Sequence, residues 1–480
     1  MNIRADFGLT FDDVLLVPRR SAIHSRKDVA TDSWLVPGIR LSIPIVSSNM
    51  DTVTETRMAI AMAQLGGIGI LHRFMTIDQQ TEFVLRVKRS ESIIVESPLT
   101  ISPEETIGHA RQRMEEVDVG GLVVVDKDNY LLGIVTNRDV LLAPDDQIPV
   151  SQVMTPRERL VVASQGETLE EARRKLYENR IEKLPLVDAD GHLTGLITAQ
   201  DIVKIQTHPN ATKDGRGRLR VGAAVGAHPE DVERAVSCVG AGVDVLVVDI
   251  AHGHSDHVIH MVRNLKQRFP NVPVIAGNVA TAQGVQDLVE AGADAVKVGV
   301  GSGSICTTRI VTGFGVPQLS AIIECAEAGS ALNVPIIADG GIRNSGDLTK
   351  SLAAGASTVM IGSLLAGTDE SPGATVIREG RRYKIVRGMA SLSANMERRM
   401  LDKGELAIEE WGEVVPEGVE AIVPSKGALV DVLYQLVGGL RSGLSYAGAC
   451  SIEELWQVAE FICITPSGMQ ESHPHNVELI

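Results

Sequence analysis

Aromatic residues are scarce in this chain: three Trp, five Tyr and seven Phe make up only 3% of its 480 residues. Its interior must therefore be filled by Val, Ile, Leu, Ala and Gly, which suits strands buried on both faces and helices packed closely against them. Cysteine is scarce too. The five (Cys238, Cys306, Cys325, Cys450 and Cys463) are scattered, with no Cys-x-x-Cys pair. That argues against a disulfide framework or a thiolate zinc site and makes a reducing cytoplasm the default compartment. Positive charge is not in excess; the net charge is −16 at pH 7. Nonspecific binding to nucleic acid, which relies on Lys and Arg neutralising phosphates, is not expected. A phosphate ligand must instead be held locally, by backbone N–H groups and a few hydroxyls. No run approaches a membrane span, and the N-terminus has acidic and polar residues where a secretory leader needs an apolar centre.

What the chain does have is a recurring short apolar run. Residues 43–48, 67–71, 221–226, 243–249, 272–278, 295–301, 334–340 and 358–363 are nearly continuous in Val, Ile, Ala and Gly, with helical spacers between them. Continuous rather than alternating runs mark strands buried on both faces. Several follow a small-residue turn: Ala241-Gly242-Val243-Asp244, Ala291-Gly292-Ala293-Asp294 and Ala354-Gly355-Ala356-Ser357. Eight such strands predict an α/β fold, a closed (β/α)₈ barrel; a doubly wound sheet is the alternative.

Between the second and third runs the spacing breaks. Residues 92–206 carry an internal repeat instead, with copies at about 94–150 and 154–206. One reads Val124-Val125-Asp126, then Gly133-Ile134-Val135-Thr136-Asn137-Arg138-Asp139; the other reads Leu186-Val187-Asp188, then Gly195-Leu196-Ile197-Thr198-Ala199-Gln200-Asp201. This resembles a tandem CBS module inserted in a barrel made of 1–91 and 207–480. The resemblance implies that Thr136, Asp139, Thr198 and Asp201 help hold a regulatory nucleotide such as ATP or GTP. An equally simple reading is that each Thr caps the helix beginning near its Asp.

The most informative stretch follows the sixth run: Gly299-Val300-Gly301-Ser302-Gly303-Ser304-Ile305-Cys306-Thr307-Thr308-Arg309. Active sites of such barrels lie on loops at the carboxyl ends of the strands. Glycines let the backbone approach a ligand closely, Ser304 and nearby N–H groups can meet a phosphate, and Cys306 shares the loop. A Cys in a Gly-rich loop is by itself more often a bystander than a nucleophile. Its context changes that reading. The seventh strand ends in Asp339-Gly340-Gly341-Ile342-Arg343 and the eighth in Gly362-Ser363. The loops after strands seven and eight are where barrels frequently hold phosphate, and Asp339 could bind a ribose diol.

Taken with Leu9-Thr10-Phe11-Asp12-Asp13-Val14-Leu15-Leu16, Arg387-Gly388-Met389, Val415-Pro416-Glu417-Gly418 and Gly439-Leu440-Arg441-Ser442, these motifs make the whole chain resemble the IMP dehydrogenase/GMP reductase family. The resemblance implies a covalent Cys306 adduct at purine C2, with hydride exchanged between that carbon and a nicotinamide. It implies a proton-handling pair, Thr308 and Glu417. It places Asn49, Met50, Ser304, Asp339, Gly341, Gly362, Ser363, Gly388 and Met389 around the nucleotide, and Asp249, Gly299 and Gly301 around the cofactor. It also implies a monovalent cation such as K+ on backbone carbonyls of Gly301, Gly303 and Cys306, joined by Glu471, Ser472 and His473 of a neighbouring copy. A homotetramer, or an octamer built from two, is expected.

The two activities of this family differ in the adduct's second partner. A dehydrogenase oxidises IMP with NAD and then needs a base to activate water; there the base resembles an Arg-Tyr pair on a flap before the Pro-Glu-Gly turn. Residues 392–405 contain no Arg-Tyr; Lys403 falls near its slot, and an ammonium is a poor copy of a planar guanidinium. Asn49 before Met50, and Ile250 after Asp249, also resemble the reductases. Gly341–Asp347 and Glu471–His475 look like dehydrogenases, and Val386 stands where both branches commonly have a phosphate-binding Tyr. The balance favours a GMP reductase using NADP(H), with an NAD-dependent IMP dehydrogenase as the alternative and a catalytically inactive purine sensor as a minor one. His252, His254 and His257 are read as a solvated loop with one ligand-facing His rather than as a metal site.

Overall fold

The computed structural model describes residues 3–4, 7–91, 95, 98–117, 119–141, 143–164, 167–403 and 415–474. The chain divides into two compact units, one of Met1–Lys88, Asn210–Asp214 and Leu219–Ile480, the other of Arg89–Pro209 and Gly215–Arg218. The sequence had placed these junctions at 91/92 and 206/207.

In the larger unit, β1 (Ile45–Ser47), β2 (Ile68–Leu71), β3 (Gly222–Val225), β4 (Val245–Asp249), β5 (Val274–Val279), β6 (Ala295–Val298), β7 (Ile336–Asp339) and β8 (Thr358–Ile361) form a closed barrel. Every pairing is parallel, and β8 returns to β1 through Val359–Ile45, Met360–Val46 and Ile361–Ser47. All eight apolar runs of the sequence are barrel strands, so the expected (β/α)₈ fold is the observed one. The inside is filled by Val46, Ile68, Ile70, Ala224, Val247, Ile275, Ala295, Ile337 and Met360. The hairpin Ser33–Val36/Ile39–Leu41 adds Leu35, Val36, Ile39 and Leu41 to this cluster. The scarcity of aromatics is thus met by short aliphatic layers.

Helices α1 (Thr56–Gln64), α2 (Ile77–Ser90), α3 (Asp231–Gly240), α4 (Asp256–Arg268), α5 (Ala282–Glu290), α6 (Gln318–Leu332), α7 (Ser345–Ala353) and α8 (Leu429–Ala447) surround the barrel. The repeated small-residue turn ends α3, α5 and α7: Ala241, Ala291 and Ala354 close each helix, and Gly242, Gly292 and Gly355 follow at φ +87°, +106° and +102°. A left-handed residue just past the helix end favours Gly. The Asp that comes next reaches the preceding strand, Asp244 accepting from Val221 N–H at 2.9 Å and Asp294 from Val274 N–H at 2.7 Å. Lys88 Nζ, at the end of α2, lies 2.8 Å from the same Asp244 oxygen and 2.9 Å from Asp214.

After β8 the chain makes a three-stranded antiparallel sheet of Thr375–Arg378, Arg381–Arg387 and Glu420–Pro424. At the two ends of the chain, Val14–Leu16 pairs with Phe461–Cys463.

The smaller unit contains the repeat. Its copies have the same order of a short strand, a helix, a hairpin and a helix, with hairpins Gly121–Val125/Leu131–Thr136 and Lys183–Val187/Leu193–Thr198. The hairpin turns match in detail: Asp126 Oδ1 accepts from Asp128 and Tyr130 N–H, and Asp188 Oδ1 accepts from Asp190 and His192 N–H. The two copies meet through Val123, Val125, Leu131, Ile134, Val187, Leu193 and Leu196.

Candidate active site

The register of the antiparallel sheet assembles the site. Arg387 pairs with Glu420, and the two strands then continue toward the loop after β6. Gly388 N–H donates to Val419 C=O at 3.0 Å, Val419 N–H to Ile305 C=O at 3.0 Å, and Thr307 N–H to Glu417 C=O at 2.8 Å; Cys306 bridges Gly418. The segments carrying Gly388–Met389, Cys306 and Glu417 are thereby stitched together by backbone alone. Gly388 and Gly418 make the approach possible, since a Cβ on Gly388 would stand 3.3 Å from Gly418 Cα. Cys306 is half-buried, and its Sγ lies 3.1 Å from Thr308 Oγ1. Thr308 opens the short helix Thr308–Thr312.

The β6 and β7 loops lock onto each other. Ser302 Oγ and Gln318 Nε2 donate to Asp339 C=O at 2.9 and 3.0 Å. Gly299 sits at φ +151°, where a Cβ would come within 2.1 Å of that same carbonyl oxygen. Gly340, at φ +89°, faces Ser302 Oγ, and Gly341 faces Phe11. Gly301, at φ +73°, lies against the Arg309 stem; Gly303 and Ser304 are exposed at the tip. On the other side of the mouth, a Cβ on Gly362 would meet Met50 Sδ and Ser48 Oγ, both at 2.9 Å. Gly362 caps the helix Ser363–Ala366, with Ser363 half-buried at its start.

Beneath these loops lies a polar knot that the sequence reading missed. Lys297 on β6 has a side chain only 2% exposed. Its Nζ donates to Asp249 Oδ1 at 2.6 Å, to Asp339 Oδ2 at 2.7 Å and to Asn278 Oδ1. Asn278 Nδ2 donates to Asp339 Oδ2 at 2.9 Å and to Gly299 C=O at 2.8 Å, and Asn49 Nδ2 to Asp249 Oδ2 at 2.8 Å. Burial would raise the Asp249 carboxyl, but the charge and hydrogen bond of Lys297, with that of Asn49, outweigh it and hold the group below its ordinary value. The same two carboxylates keep the Lys297 ammonium above its own despite desolvation. A lone Lys within Ala295-Val-Lys-Val was the available signal, because a fully buried Lys is rare unless paired.

A second missed cluster stands beside Gly388. Arg387 Nε donates to Asp51 Oδ2 at 2.6 Å, and its guanidinium also holds Glu397 on the helix Leu392–Lys403. Val386 is 1% exposed and packs in the core. The side chain of Lys403, and residues 404–414 after it, lie outside the described residues, as does His475.

Other expected residues lie elsewhere. Glu471 ends the helix Pro466–Glu471, which packs on Phe11–Asp13 of its own chain, and Ser472 and His473 follow, exposed. His254 Nε2 pairs with Asp287 Oδ2 at 2.6 Å. In the smaller unit, Thr136 N–H and Oγ1 both donate to Asp139 Oδ2, at 2.8 and 2.7 Å. The Thr–Asp pair therefore satisfies itself at a helix start, with the carboxylate as acceptor. Thr198 ends its strand at the matching place, and the Asp201 side chain lies outside the described residues.

A closed barrel whose mouth gathers a thiol, its hydroxyl neighbour, glycine-lined loops and paired carboxylates belongs to the class of barrel enzymes acting on phosphorylated small molecules. The family model of the IMP dehydrogenase / GMP reductase domain matches residues 8–475. The chain is 53% identical over 474 residues to an inosine-5'-monophosphate dehydrogenase of Nitrosopumilus maritimus, covering 98% of this chain and 99% of that one. It is 54% identical over 475 residues to the same enzyme of Aquifex aeolicus, covering 98% and 96%. Among solved structures it is similar to a Cys-to-Ala variant of Trypanosoma brucei GMP reductase in complex with guanosine 5'-monophosphate, with TM-score 0.90, 47% identity and 98% of each chain covered. The chain belongs to the IMP dehydrogenase/GMP reductase family. It is an NAD(P)-dependent oxidoreductase of purine nucleotides.

Proposed function

We propose that the protein is a GMP reductase, converting GMP and NADPH to IMP, ammonia and NADP. The observation carrying the choice is that residues 392–405 contain no Arg-Tyr to activate water; the Cys306–Thr308 pair at 3.1 Å serves the step common to both activities. In this reading the Cys306 thiolate adds to C2 of GMP while Thr308 and Glu417 deliver a proton to the departing amine, which leaves as ammonia. The nicotinamide, when bound, supplies the hydride that C2 accepts. The carbon–sulfur bond then breaks, giving IMP and returning the thiolate.

The remaining roles are those that the family resemblance implies. Gly341, Gly362, Ser363 and Ser304 hold the phosphate by N–H and hydroxyl groups; Asp339 takes the nucleotide ribose, with Asn49, Met50, Gly388 and Met389 lining the base. Asp249, Gly299 and Gly301 face the cofactor, and the apolar Ile250 beside Asp249 suits the reductase. A K+ ion would fit the all-oxygen set of Gly301, Gly303 and Cys306 carbonyls, whose exposed edge leaves room for Glu471, Ser472 and His473 of a second copy. The repeat unit, read as paired CBS domains, would bind a regulatory nucleotide through Thr136, Asp139, Thr198 and Asp201. A tetrameric or octameric cytoplasmic enzyme completes the reading.

The competing reading, an IMP dehydrogenase, is favoured by the names of the relatives at 53% and 54% identity. One experiment separates them. Purified protein given GMP and NADPH should consume the cofactor and release ammonia in equal amounts, while IMP with NAD yields little XMP. Sustained XMP formation with no GMP-dependent NADPH oxidation would reverse the assignment.

A further inference from the structure

Lys297 is placed where it can touch both carboxylates and no ligand. An ammonium has three donors, and here all three are taken, by Asp249, Asp339 and Asn278. Burying such a charge costs several kcal/mol unless partners converge on it, so the knot is a built feature of the mouth. It ties the ends of β4, β5, β6 and β7 at one atom, and Asn49 extends it past β1. Each carboxylate gives one oxygen to Lys297. Asp249 gives its other oxygen to Asn49, and the Asp339 backbone is pinned separately by Ser302 and Gln318. The Asp339 side chain remains 21% exposed and that of Asp249 26%. Neither can swing toward a ligand without drawing the ammonium away from the other.

We propose that Lys297 is a positioning residue that couples the two halves of the site, holding Asp339 for the nucleotide ribose and Asp249 for the cofactor ribose in mutually dependent orientations. This rests on the assignment of those two carboxylates made above. Arg73, from the loop after β2, adds a positive charge on the Asp249 side; Asn49, Asn278 and Gln318 are neutral. Replacing Lys297 by Met keeps length and volume and removes the charge. Two carboxylates then face each other with no cation between them, and like charges at such range share a proton.

The test is steady-state kinetics of the full-length holoenzyme with GMP and NADPH. In K297M the KM for nucleotide and that for cofactor both rise, by about tenfold or more, an expected loss for a misaligned site. Log(kcat/KM) also gains a pH-dependent rise, absent in the parent, as the shared proton leaves. K297M/D249N restores the parent's local charge, since one carboxylate without an ammonium carries the same −1 as two with one. It also keeps the protein testable where K297M folds poorly. In the double variant the pH-dependent rise disappears, the nucleotide KM returns to within about threefold of the parent, and only the cofactor KM stays high. A K297M enzyme with lowered thermal stability but both KM values and the pH profile unchanged would assign Lys297 a purely structural role and overturn the coupling. The single variants D339N and D249N check the foundation. If D339N leaves the nucleotide KM unchanged, or D249N the cofactor KM, the carboxylate assignments are wrong and the proposal falls with them. If those assignments hold and K297M raises only one KM, the coupling alone fails.

Discussion

Replacing Thr308 by Val probes the proposed proton-handling pair with little disturbance to the fold. Val keeps the β-branched shape at the first position of the helix Thr308–Thr312 and removes only the hydroxyl lying 3.1 Å from Cys306 Sγ. One half-buried hydrogen bond is lost, about 1 kcal/mol of stability, so the variant remains folded at assay temperature. Catalysis should lose more. A positioned acid–base group contributes roughly 10²–10⁴-fold, equivalent to about 3–5 kcal/mol of barrier. The assay is NADPH absorbance at saturating GMP, with ammonia measured in parallel. The expected result is a fall of kcat in that range with the KM for GMP changed less than about threefold, because the hydroxyl meets the sulfur and not the ribose or phosphate. Thr308→Ser, which restores a hydroxyl, should recover most of the rate. A Thr308→Val enzyme whose kcat stays within about threefold of the parent would refute the reasoning, and so would a loss that Thr308→Ser fails to repair.

Three other outcomes are expected. Burial pushes the Cys238 thiol up to about 11 and the Cys325 thiol up to about 12, so mild alkylation followed by mass spectrometry should spare both, modify Cys306 and the exposed Cys450 and Cys463, and be blocked by GMP at Cys306 alone. Gly299→Ala should abolish activity and lower the melting temperature, since its Cβ would stand 2.1 Å from Asp339 C=O at φ +151°; retention of full activity would show that the β6 and β7 loops can separate. The Arg343 hydrogen bond holds the Asp12 carboxyl below its ordinary value. That stabilisation is present above the unfolded carboxyl range and lost as pH falls through the folded value, so the melting-temperature gap between parent and Arg343→Met should be constant near neutrality and narrow below about pH 4.

Much of this architecture can be read directly from the residues. Each barrel strand is a continuous Val, Ile and Ala run because both its faces are covered, and the Ala-Gly pairs mark helix ends because the glycine must adopt positive φ. The loop motifs around Cys306, Asp339 and Gly362 are local in sequence and so are visible there. Lys297 was overlooked because its meaning is non-local: partners on β4, β5 and β7 turn an odd charge in an apolar run into the centre of the mouth. The same holds for Arg387, whose partners Asp51 and Glu397 lie far apart in the chain. The antiparallel sheet after β8 also escaped notice. Thr375–Arg378 and Glu420–Pro424 are largely exposed, and the longer strand Arg381–Arg387 is rich in Arg and Lys, so no continuous apolar run marks them. Yet its register is what delivers Glu417 to Cys306.

The fastening of two carboxylates, Asp214 and Asp244, to one ammonium, Lys88, bears on how the gene could be edited. The chain departs from the barrel just after Lys88 and re-enters at Asn210, and those two flanks are pinned side by side. A short turn joining them would leave the stave-work of the barrel whole, and because the entropy of closing a loop grows only slowly with its length, the guest segment can be exchanged for a longer or shorter one at small thermodynamic cost. For the barrel, that segment is simply the connection between α2 and β3, left and re-entered at neighbouring points.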